Sequence, residues 1–356
     1  MRPVAGRRFR PPTPLKQRVF QFLTWWRARK GHGRTAGDGR VSAVRKLSLD
    51  LPQWISPDGK SAFASPFYGN HELVSLQEEC MREILSKANR ENFPVGLRLL
   101  PRGYREHLLA VYAFVRFVDD IGDEAERGDR LRLLDLVESD LIRLYGGSAP
   151  HLAPTRALGR TVEACSIPAE PFHRIVEANR RDQSVTRYAT FDDLLGYCEL
   201  SANPIGHIVL HLFGAADRRR LLLADHVCSA LQVIEHCQDV GEDYARGRVY
   251  LPEQDLRRFG CTEDDLAART ASPGLRRVVA LQTGRAARLL ERGRTLTASL
   301  TGHARVAVAG YVAGGQATLS ALERAGHDVL GHAVRPRRGR WLAAWLRLLA
   351  ARGGSR

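Results

Sequence analysis

The sequence lacks paired cysteines, long apolar runs and acidic residues near its two ends. Its six cysteines are irregularly spaced and form no C-x-x-C pair, which argues against a zinc ribbon, a thioredoxin-type site and a disulfide scaffold. We therefore expect free thiols in a reducing cytosol. No apolar run approaches the roughly 20 residues that a membrane span requires, and residues 19–26 are too short for a signal peptide.

The positive charge of the chain is concentrated at its ends. The formal net charge is +15. Residues 1–46 carry net +12 and residues 335–356 carry net +7, so the 288 residues between them carry net −4. A basic core that binds nucleic acid is thereby excluded, and no nucleic-acid partner is expected. Basic ends can instead contact an anionic membrane surface.

Both ends are predicted to be basic extensions of the main domain. Residues 1–60 are interpreted as a mobile extension, or as a basic arm that lies on anionic lipid. A helical stripe in residues 335–356 is formed by Trp341, Trp345 and Leu348, and widened by Leu342, Leu346 and Leu349. This pattern fits a helix at a membrane surface or a helix docked on the protein's own core, and the lack of acids favours the membrane. The predicted location is the cytoplasm, peripheral to the inner face of the membrane.

The body of the chain has helical apolar spacing nearly throughout, and β-branched alternation is nearly absent. Helices are predicted in 73–88, 104–120, 130–145, 171–188, 192–213, 218–245 and 276–325. Proline and glycine separate them, for example at Pro101, Gly146 and Pro273. We predict one all-α domain of long packed helices over about residues 70–330.

Two aspartates lie one helical turn apart in residues 111–124, VYAFVRFVDDIGDE. Asp119 and Asp123 are i and i+4, so their carboxylates face the same way, and Tyr112 and Arg116 continue the stripe. Like charges in so apolar a helix are costly to bury, and a divalent cation would compensate them. Carboxylate oxygens suit Mg²⁺, which fills its shell with water and phosphate.

The same spacing recurs 120 residues later, at Asp239 and Asp243. Glu235 and Gln232 stand on the same stripe, one turn and two turns before Asp239 respectively. Either aspartate pair alone is more often a solvated face. Two pairs inside apolar helices predict a cleft in which Mg²⁺ ions clamp a diphosphate and act as Lewis acids.

Two further patterns have a structural interpretation beside a functional one. His207 and His211 are i and i+4, but no Glu accompanies them in a metalloprotease pattern, and a structural role is favoured. Asp182 either points into the cleft or forms a surface salt bridge.

With these motifs the sequence resembles the squalene/phytoene synthase family, the trans head-to-head prenyl synthases. The match rests on residues 111–124, on 187–206 (RYATFDDLLGYCELSANPIG) and on 238–252 (QDVGEDYARGRVYLP), and covers about residues 75–330. Residues 91–95 (ENFPV) and 201–206 (SANPIG) most resemble the bacterial hydroxysqualene synthase branch of hopanoid pathways. The resemblance implies an all-α isoprenoid synthase fold with a central cleft.

The resemblance also implies the reaction. Presqualene diphosphate and water would give hydroxysqualene and diphosphate, with a cluster of three Mg²⁺ ions and without NADPH. An upstream presqualene diphosphate synthase and a downstream hydroxysqualene reductase are the implied partners. A membrane surface is expected to be contacted by the basic ends.

Site residues follow from the matched motifs. The metal ligands implied are Asp119, Asp123, Asp239, Asp243 and Glu235, the last standing where the family usually has Asn. The diphosphate-binding residues implied are Arg116, Asn89, Asn92, Gln232 and Arg248. The catalytic residues expected are Tyr112, Tyr197 and Asn203. Aromatic faces can stabilise a cation, and Asn203 offers a donor and an acceptor to a quenching water.

Alternative functions share parts of this pattern. A squalene- or phytoene-type synthase would condense two prenyl diphosphates at the same metal site. A catalytically inactive membrane-associated helical scaffold is disfavoured by four intact aspartates. A carboxylate-bridged di-iron bundle would need Glu-x-x-His on two helices, and the sequence has one such motif, at Glu170 and His173, and not two.

Overall fold

The structure is a computed structural model that describes residues 100–331 and 333–351. The predicted helix 73–88, the extension 1–60, Asn89 and Asn92 lie outside the described residues. Within the described ranges the chain forms helices and no strand, which confirms the all-α class. No helix there is both long enough and apolar enough to cross a membrane.

The helices follow one another with short connections. In chain order they are α1 (Arg102–Glu124), α2 (Arg130–Tyr145), α3 (Ala153–Cys165), α4 (Glu170–Arg181), α5 (Phe191–Ser201), α6 (Asn203–Leu212), α7 (Arg218–Gln238), α8 (Val240–Ala245), α9 (Glu253–Arg258), α10 (Glu263–Ala267), α11 (Pro273–Arg292), α12 (Arg294–Ser299), α13 (Gly302–Arg324) and α14 (Arg338–Ala350).

Helix boundaries fall at the predicted proline and glycine positions. Helix α1 begins directly after Pro101, and α2 ends at Gly146, whose N–H donates to the Ile142 carbonyl at 2.9 Å. Helix α11 begins at Pro273, behind Ser272, whose hydroxyl oxygen accepts from the Leu275 N–H at 3.2 Å. The Ser272 side chain provides an acceptor for one N–H at the helix start, and a proline there has no N–H that would need a partner.

Four predicted helices are longer than the helices observed. The span 192–213 is divided at Ala202 because Pro204 has no N–H to continue the ladder. The span 218–245 is divided at Asp239, and 276–325 is divided into α11, α12 and α13. Helix α4 stops at Arg181, so 182–188 is a connection instead of a helix.

The helices bury three apolar clusters. The first is built from residues of 100–212 and centres on α1, where the rings of Phe114 and Phe172 meet edge to face at 5.4 Å. The second lies around α5, the C-terminal half of α7 and α11, and the third lies between α7, α12 and α13. Helix α7 contributes its first half to the third cluster and its second half to the second cluster. Packing therefore fixes the whole helix that leads into Asp239.

The C-terminal helix corrects one sequence-based prediction. The Trp341 and Trp345 indole N–H groups donate to the carbonyls of Gly310 (3.2 Å) and Val306 (3.0 Å) on α13. The tryptophan stripe predicted to face lipid therefore docks on the protein itself. A buried indole needs a partner for its N–H, and these helix carbonyls supply one. Leu342 and Leu346 face outward instead.

Candidate active site

Arg248 connects the two aspartate segments across the cleft. Its Nη2 lies 3.0 Å from Asp123 Oδ1, although 125 residues separate the two positions. Arg248 follows Gly247, which turns the chain with a φ of +80°, and its N–H donates to the Asp243 carbonyl at 2.9 Å. The second segment therefore positions a guanidinium directly against the first.

Amide side chains at the end of α4 and in the connection after it hold the end of α1 in place. Asn179 Nδ2 donates to Asp119 Oδ1 at 3.2 Å, and Gln183 Nε2 donates to the Gly122 carbonyl at 3.1 Å. Arg130 Nη2 donates to the Asp123 carbonyl at 2.8 Å. The sequence analysis did not single out these three residues. The i, i+4 spacing of Asn179 and Gln183 at the end of an amphipathic helix was the available signal.

Arg116 lies one turn before Asp119 and two turns before Asp123 on α1, and it also forms an ion pair with a neighbouring aspartate. Its Nη2 lies 2.7 Å from Asp120 Oδ1 and 3.7 Å from Glu124 Oε1, and both Arg116 and Asp120 are 3% exposed. The ion pair with Asp120 was not predicted from the sequence. Tyr112 is buried in the first apolar cluster. Diphosphate binding by Arg116 and a catalytic role for Tyr112 stay predictions.

The second aspartate segment is almost completely buried. Asp239 is 1% exposed and Asp243 is 2% exposed. Asp239 lies at the junction of α7 and α8, yet the Asp243 N–H still donates to its carbonyl at 2.8 Å. A helical turn thus persists through the break, and the two residues keep their i, i+4 spacing.

Gln232 and His236 extend this segment one turn further along α7. Gln232 Nε2 lies 3.0 Å from His236 Nε2, and His236 Nδ1 lies 3.8 Å from Asp243 Oδ2. Glu235 is 7% exposed and lines the adjoining cavity together with Gln232. The structure therefore places both predicted residues beside the second aspartate pair.

Aromatic rings form a wall next to the carboxylates. Tyr250 stacks on His236 with ring centroids 3.8 Å apart and on Tyr188 at 5.7 Å, and Tyr197 lies 5.6 Å from Tyr250. Burial raises the pKa of Tyr250 well above its ordinary value, so its hydroxyl is neutral at physiological pH. The sequence analysis quoted Tyr188 and Tyr250 within matched segments but assigned them no role.

Asp182 lies in the interior beside this wall. It is 6% exposed, and Tyr197 donates its hydroxyl hydrogen to Asp182 Oδ2 at 2.9 Å. Of the two interpretations of Asp182, the surface salt bridge is therefore wrong. The hydrogen bond fixes the predicted catalytic Tyr197 in one orientation.

Arg248 stays protonated in this environment. Burial lowers the pKa of its guanidinium, but the carboxylates of Asp123 and Asp182 help to raise it above the ordinary value. A permanently charged guanidinium with several N–H donors is suited to an anion such as diphosphate.

Mg²⁺ fits the donor set of this cleft. Each segment offers a pair of carboxylates, and Mg²⁺ is typically held by one or two carboxylates, with water and phosphate in the remaining positions. Within residues 100–331 and 333–351, no three acidic, histidine or cysteine side chains converge on one metal position. The residues therefore match an ion shared with a phosphate ligand better than an all-protein cage.

An apolar cavity opens beside Gln232 and Glu235 and runs along α6 and α7. Its empty space is about 720 Å³ when the open solvent at its mouth is included. Ala202, Gly206 and Val209 line one side, and Val227, Cys228 and Leu231 line the other. Burial raises the pKa of Cys228 to about 12, so its thiol acts as an apolar wall group. The cavity suits a hydrocarbon chain whose polar end lies at the carboxylates.

Gly206 permits the close approach of α6 and α7 along this cavity. A Cβ at Gly206 would lie 2.6 Å from Cys228 Sγ and 3.3 Å from Ala224 Cβ. We expect Gly206→Ala to lower the free energy of unfolding by about 1–3 kcal/mol through overpacking. The measurement is urea unfolding followed by circular dichroism.

Gly196→Ala is the matched control, because Gly196 lies within α5 and its added Cβ would meet no atom within 4 Å. That change should raise the free energy of unfolding by about 0.5–1 kcal/mol through helix propensity. Adding Cys228→Ala to Gly206→Ala removes the sulfur and should restore most of the loss. Equal stability of the two glycine variants would contradict the close contact.

Of the remaining sequence candidates, His207 has a structural role, and a role of Asn203 in the reaction stays a prediction. His207 Nε2 lies 2.8 Å from Asp225 Oδ1 and so links α6 to α7. The five cysteines in the described residues are free, as predicted. Asn203 is buried at the start of α6, and Ser229 Oγ donates to its Oδ1 at 3.0 Å.

The comparisons with known proteins agree with this arrangement. Residues 86–342 match the family described as squalene/phytoene synthase. A hydroxysqualene synthase of Zymomonas mobilis is 34% identical over 215 residues, which is 59% of this chain and 71% of that protein. A phytoene synthase of Mycobacterium tuberculosis is 33% identical over 179 residues, 50% of this chain and 58% of that protein.

A solved structure supports the same assignment. The crystal structure of squalene synthase HpnC from Alicyclobacillus acidocaldarius superimposes with a TM-score of 0.65 at 44% identity. The superposition covers 70% of this chain and 94% of that one. Sequence, fold and the two facing aspartate segments lead to one conclusion: the chain is an enzyme of the squalene/phytoene synthase family.

Proposed function

We propose that this enzyme converts presqualene diphosphate and water to hydroxysqualene and diphosphate, with Mg²⁺ as its metal. The observation that carries the proposal is the 3.0 Å contact of Arg248 with Asp123, which brings the two aspartate segments together. Gln232 and Glu235, beside the second segment, line an apolar cavity. A diphosphate with a long hydrocarbon chain matches both ends of that site. The hydroxysqualene synthase relatives support water as the second reactant.

Each part of the site has a task in this reaction. Mg²⁺ held by Asp119, Asp123, Asp239 and Asp243 would neutralise the diphosphate and act as a Lewis acid. Arg248 donates N–H groups to diphosphate oxygens. The carbon–oxygen bond to diphosphate then breaks, and the electron pair leaves with the diphosphate.

The cation that remains must be shielded until water reaches it. The cyclopropylcarbinyl cation rearranges to an allylic cation in an apolar cavity that excludes other nucleophiles. The rings of Tyr197 and Tyr250 offer their π-faces to positive charge. Water adds to the allylic carbon, and its surplus proton passes to the released diphosphate. No reductant is needed, because a lone pair on the oxygen atom of water forms the new bond to carbon in place of a hydride.

A product assay tests the proposal. The purified enzyme is incubated with Mg²⁺ and presqualene diphosphate in heavy-oxygen water without NADPH, and the lipid is identified by mass spectrometry. We expect hydroxysqualene that carries one heavy oxygen atom, and no product after chelation of divalent ions. A hydrocarbon product would instead favour the second candidate, a squalene- or phytoene-type condensation of two prenyl diphosphates, which the 33% identical phytoene synthase supports.

Asn203 is the residue that we expect to influence the fate of the cation. It is buried beside Ala202, which lines the cavity, and Ser229 holds its side-chain oxygen. Asn203→Ala should shift the product from hydroxysqualene toward a hydrocarbon formed by proton loss. Ser229→Ala is the matched control, since it removes the same hydrogen bond and keeps the amide. An Asn203→Ala enzyme that makes only hydroxysqualene would remove this role.

The reaction also defines its neighbours in a pathway. A presqualene diphosphate synthase must supply the substrate, and a hydroxysqualene reductase must remove the hydroxyl group of the product. We propose both as functional partners that share these lipid intermediates with the enzyme.

A further inference from the structure

Helix α14 is fixed on α13 in a single orientation. The stacked rings of Trp341 and Trp345, 5.2 Å apart, lie against α13, and Ala344 is 3% exposed. Arg305 of α13 donates from Nη2 to the Leu349 carbonyl at 2.9 Å and so caps the end of α14. Because the inner face is held by these contacts, the outer face is also defined.

The outer face of α14 carries an exposed apolar pair. Leu342 is 45% exposed and Leu346 is 54% exposed, and they lie one helical turn apart. They are two of the five large apolar side chains that are exposed in the described residues. The helix thus presents leucine on the side opposite to its docked tryptophans.

Positive charge surrounds this pair. The arginines at 335, 337, 338, 340 and 347 are all exposed. The sequence contains no Asp or Glu after Asp328, and residues 335–356 carry net +7. Leucines bordered by arginines, in a stretch of sequence without acids, are complementary to a surface that offers both hydrocarbon and phosphate.

A bilayer matches this face better than a protein does. A stable protein interface typically buries about 800 Å² on each partner, and the exposed side of a 13-residue helix offers a narrow strip. Anionic lipid needs no larger complementary shape, since arginines bind headgroup phosphates while leucines enter the acyl boundary.

We propose that the outer face of α14, formed by Leu342 and Leu346 with Arg338 and Arg347, binds the surface of a bilayer that contains anionic phospholipid. This inference does not depend on which prenyl product the enzyme makes. It replaces the tryptophan stripe by the leucine stripe as the lipid-binding surface.

Vesicle sedimentation of the full-length protein tests the proposal. Vesicles are made of phosphatidylcholine alone or with an equal amount of phosphatidylglycerol. We expect binding to the mixed vesicles, little binding to phosphatidylcholine, and a loss of about tenfold in affinity for Leu342→Ser/Leu346→Ser. The matched control is Leu131→Ser/Leu222→Ser, whose leucines are 52% and 58% exposed on other helices, and it should bind like the wild type.

Every protein in this comparison retains the basic residues 1–46, so their electrostatic contribution is common to all. Circular dichroism verifies that both double variants are folded. Binding of the α14 variant within twofold of the control variant would overturn the proposal. A lower mass in solution for the α14 variant than for the wild type would also overturn it, since the face would then join copies of the chain.

Discussion

Asp119→Asn is expected to reduce turnover by about a thousandfold or more, the equivalent of about 4 kcal/mol of transition-state stabilisation. The substitution keeps the shape of the side chain and its hydrogen bond from Asn179, but it removes a charge that would hold the metal. Stability should not fall, because one of several neighbouring carboxylates becomes neutral. The measurements are turnover of presqualene diphosphate with saturating Mg²⁺ and thermal unfolding of the metal-free protein.

The adjacent Asp120 provides a sharp contrast. It is as buried as Asp119, but it forms an ion pair with Arg116. Asp120→Asn should lower the free energy of unfolding by about 3 kcal/mol, since a buried guanidinium loses its charged partner. We expect Asp119→Asn to lose activity and keep its stability, and Asp120→Asn to lose stability first. If both variants lose only stability, the assignment of Asp119 to the metal site is wrong.

Arg248→Met is expected to lower kcat/KM by about a hundredfold, because a preorganised donor to the diphosphate disappears. Arg248→Lys keeps the charge without the planar pair of donors and should recover only part of the loss. The measurement is steady-state turnover over a range of substrate concentrations, with diphosphate inhibition as a binding readout.

Arg246→Met is the matched control for Arg248. Arg246 lies two residues earlier in the same connection, and its side chain is exposed. Its removal should leave kcat/KM within about twofold, as is usual for an exposed side chain remote from bound substrate. Equal effects at the two arginines would show that the general positive charge of the loop matters, and not the contact with Asp123.

The helical spacing of apolar residues, together with proline and glycine at the helix ends, made much of the fold predictable. Proline and glycine act locally, so the starts of α1 and α11 follow from Pro101 and Pro273. The division of the predicted span 218–245 at Asp239 was not predictable, because neither Gln238 nor Asp239 is a strong helix breaker.

The face of α14 shows where a pattern becomes ambiguous. Apolar residues occur on two sides of this helix, so a period of 3.6 residues cannot select the buried side. The choice depends on α13, where Gly310 leaves room for the indoles and exposes a carbonyl to Trp341. Gly310 lies 31 residues before Trp341, so the pattern of α14 alone contains no sign of this contact.

The charged residues of the candidate site were predictable from the sequence, but the side chains that hold them in place by hydrogen bonds were not. The aspartate spacing and Arg248 followed from the motifs. The roles of Asn179 and Gln183 were missed. Their side chains donate hydrogen bonds to α1 residues about 60 positions earlier in the chain, and such long-range contacts leave no periodic signal in the sequence. The ion pair of Arg116 with Asp120 was missed because i, i+3 and i, i+4 partners are equally accessible on a helix.

The long separation of Asp123 and Arg248 has a consequence for how the enzyme is made. Among the described residues, the buried members of the first apolar cluster all come from 100–212, so a nascent chain can pack them while the ribosome is still adding α7. Contact between Asp123 and Arg248 must wait for a loop of 125 residues to close. The substrate pocket is therefore expected to assemble last, which leaves no competent active site on an unfinished polypeptide.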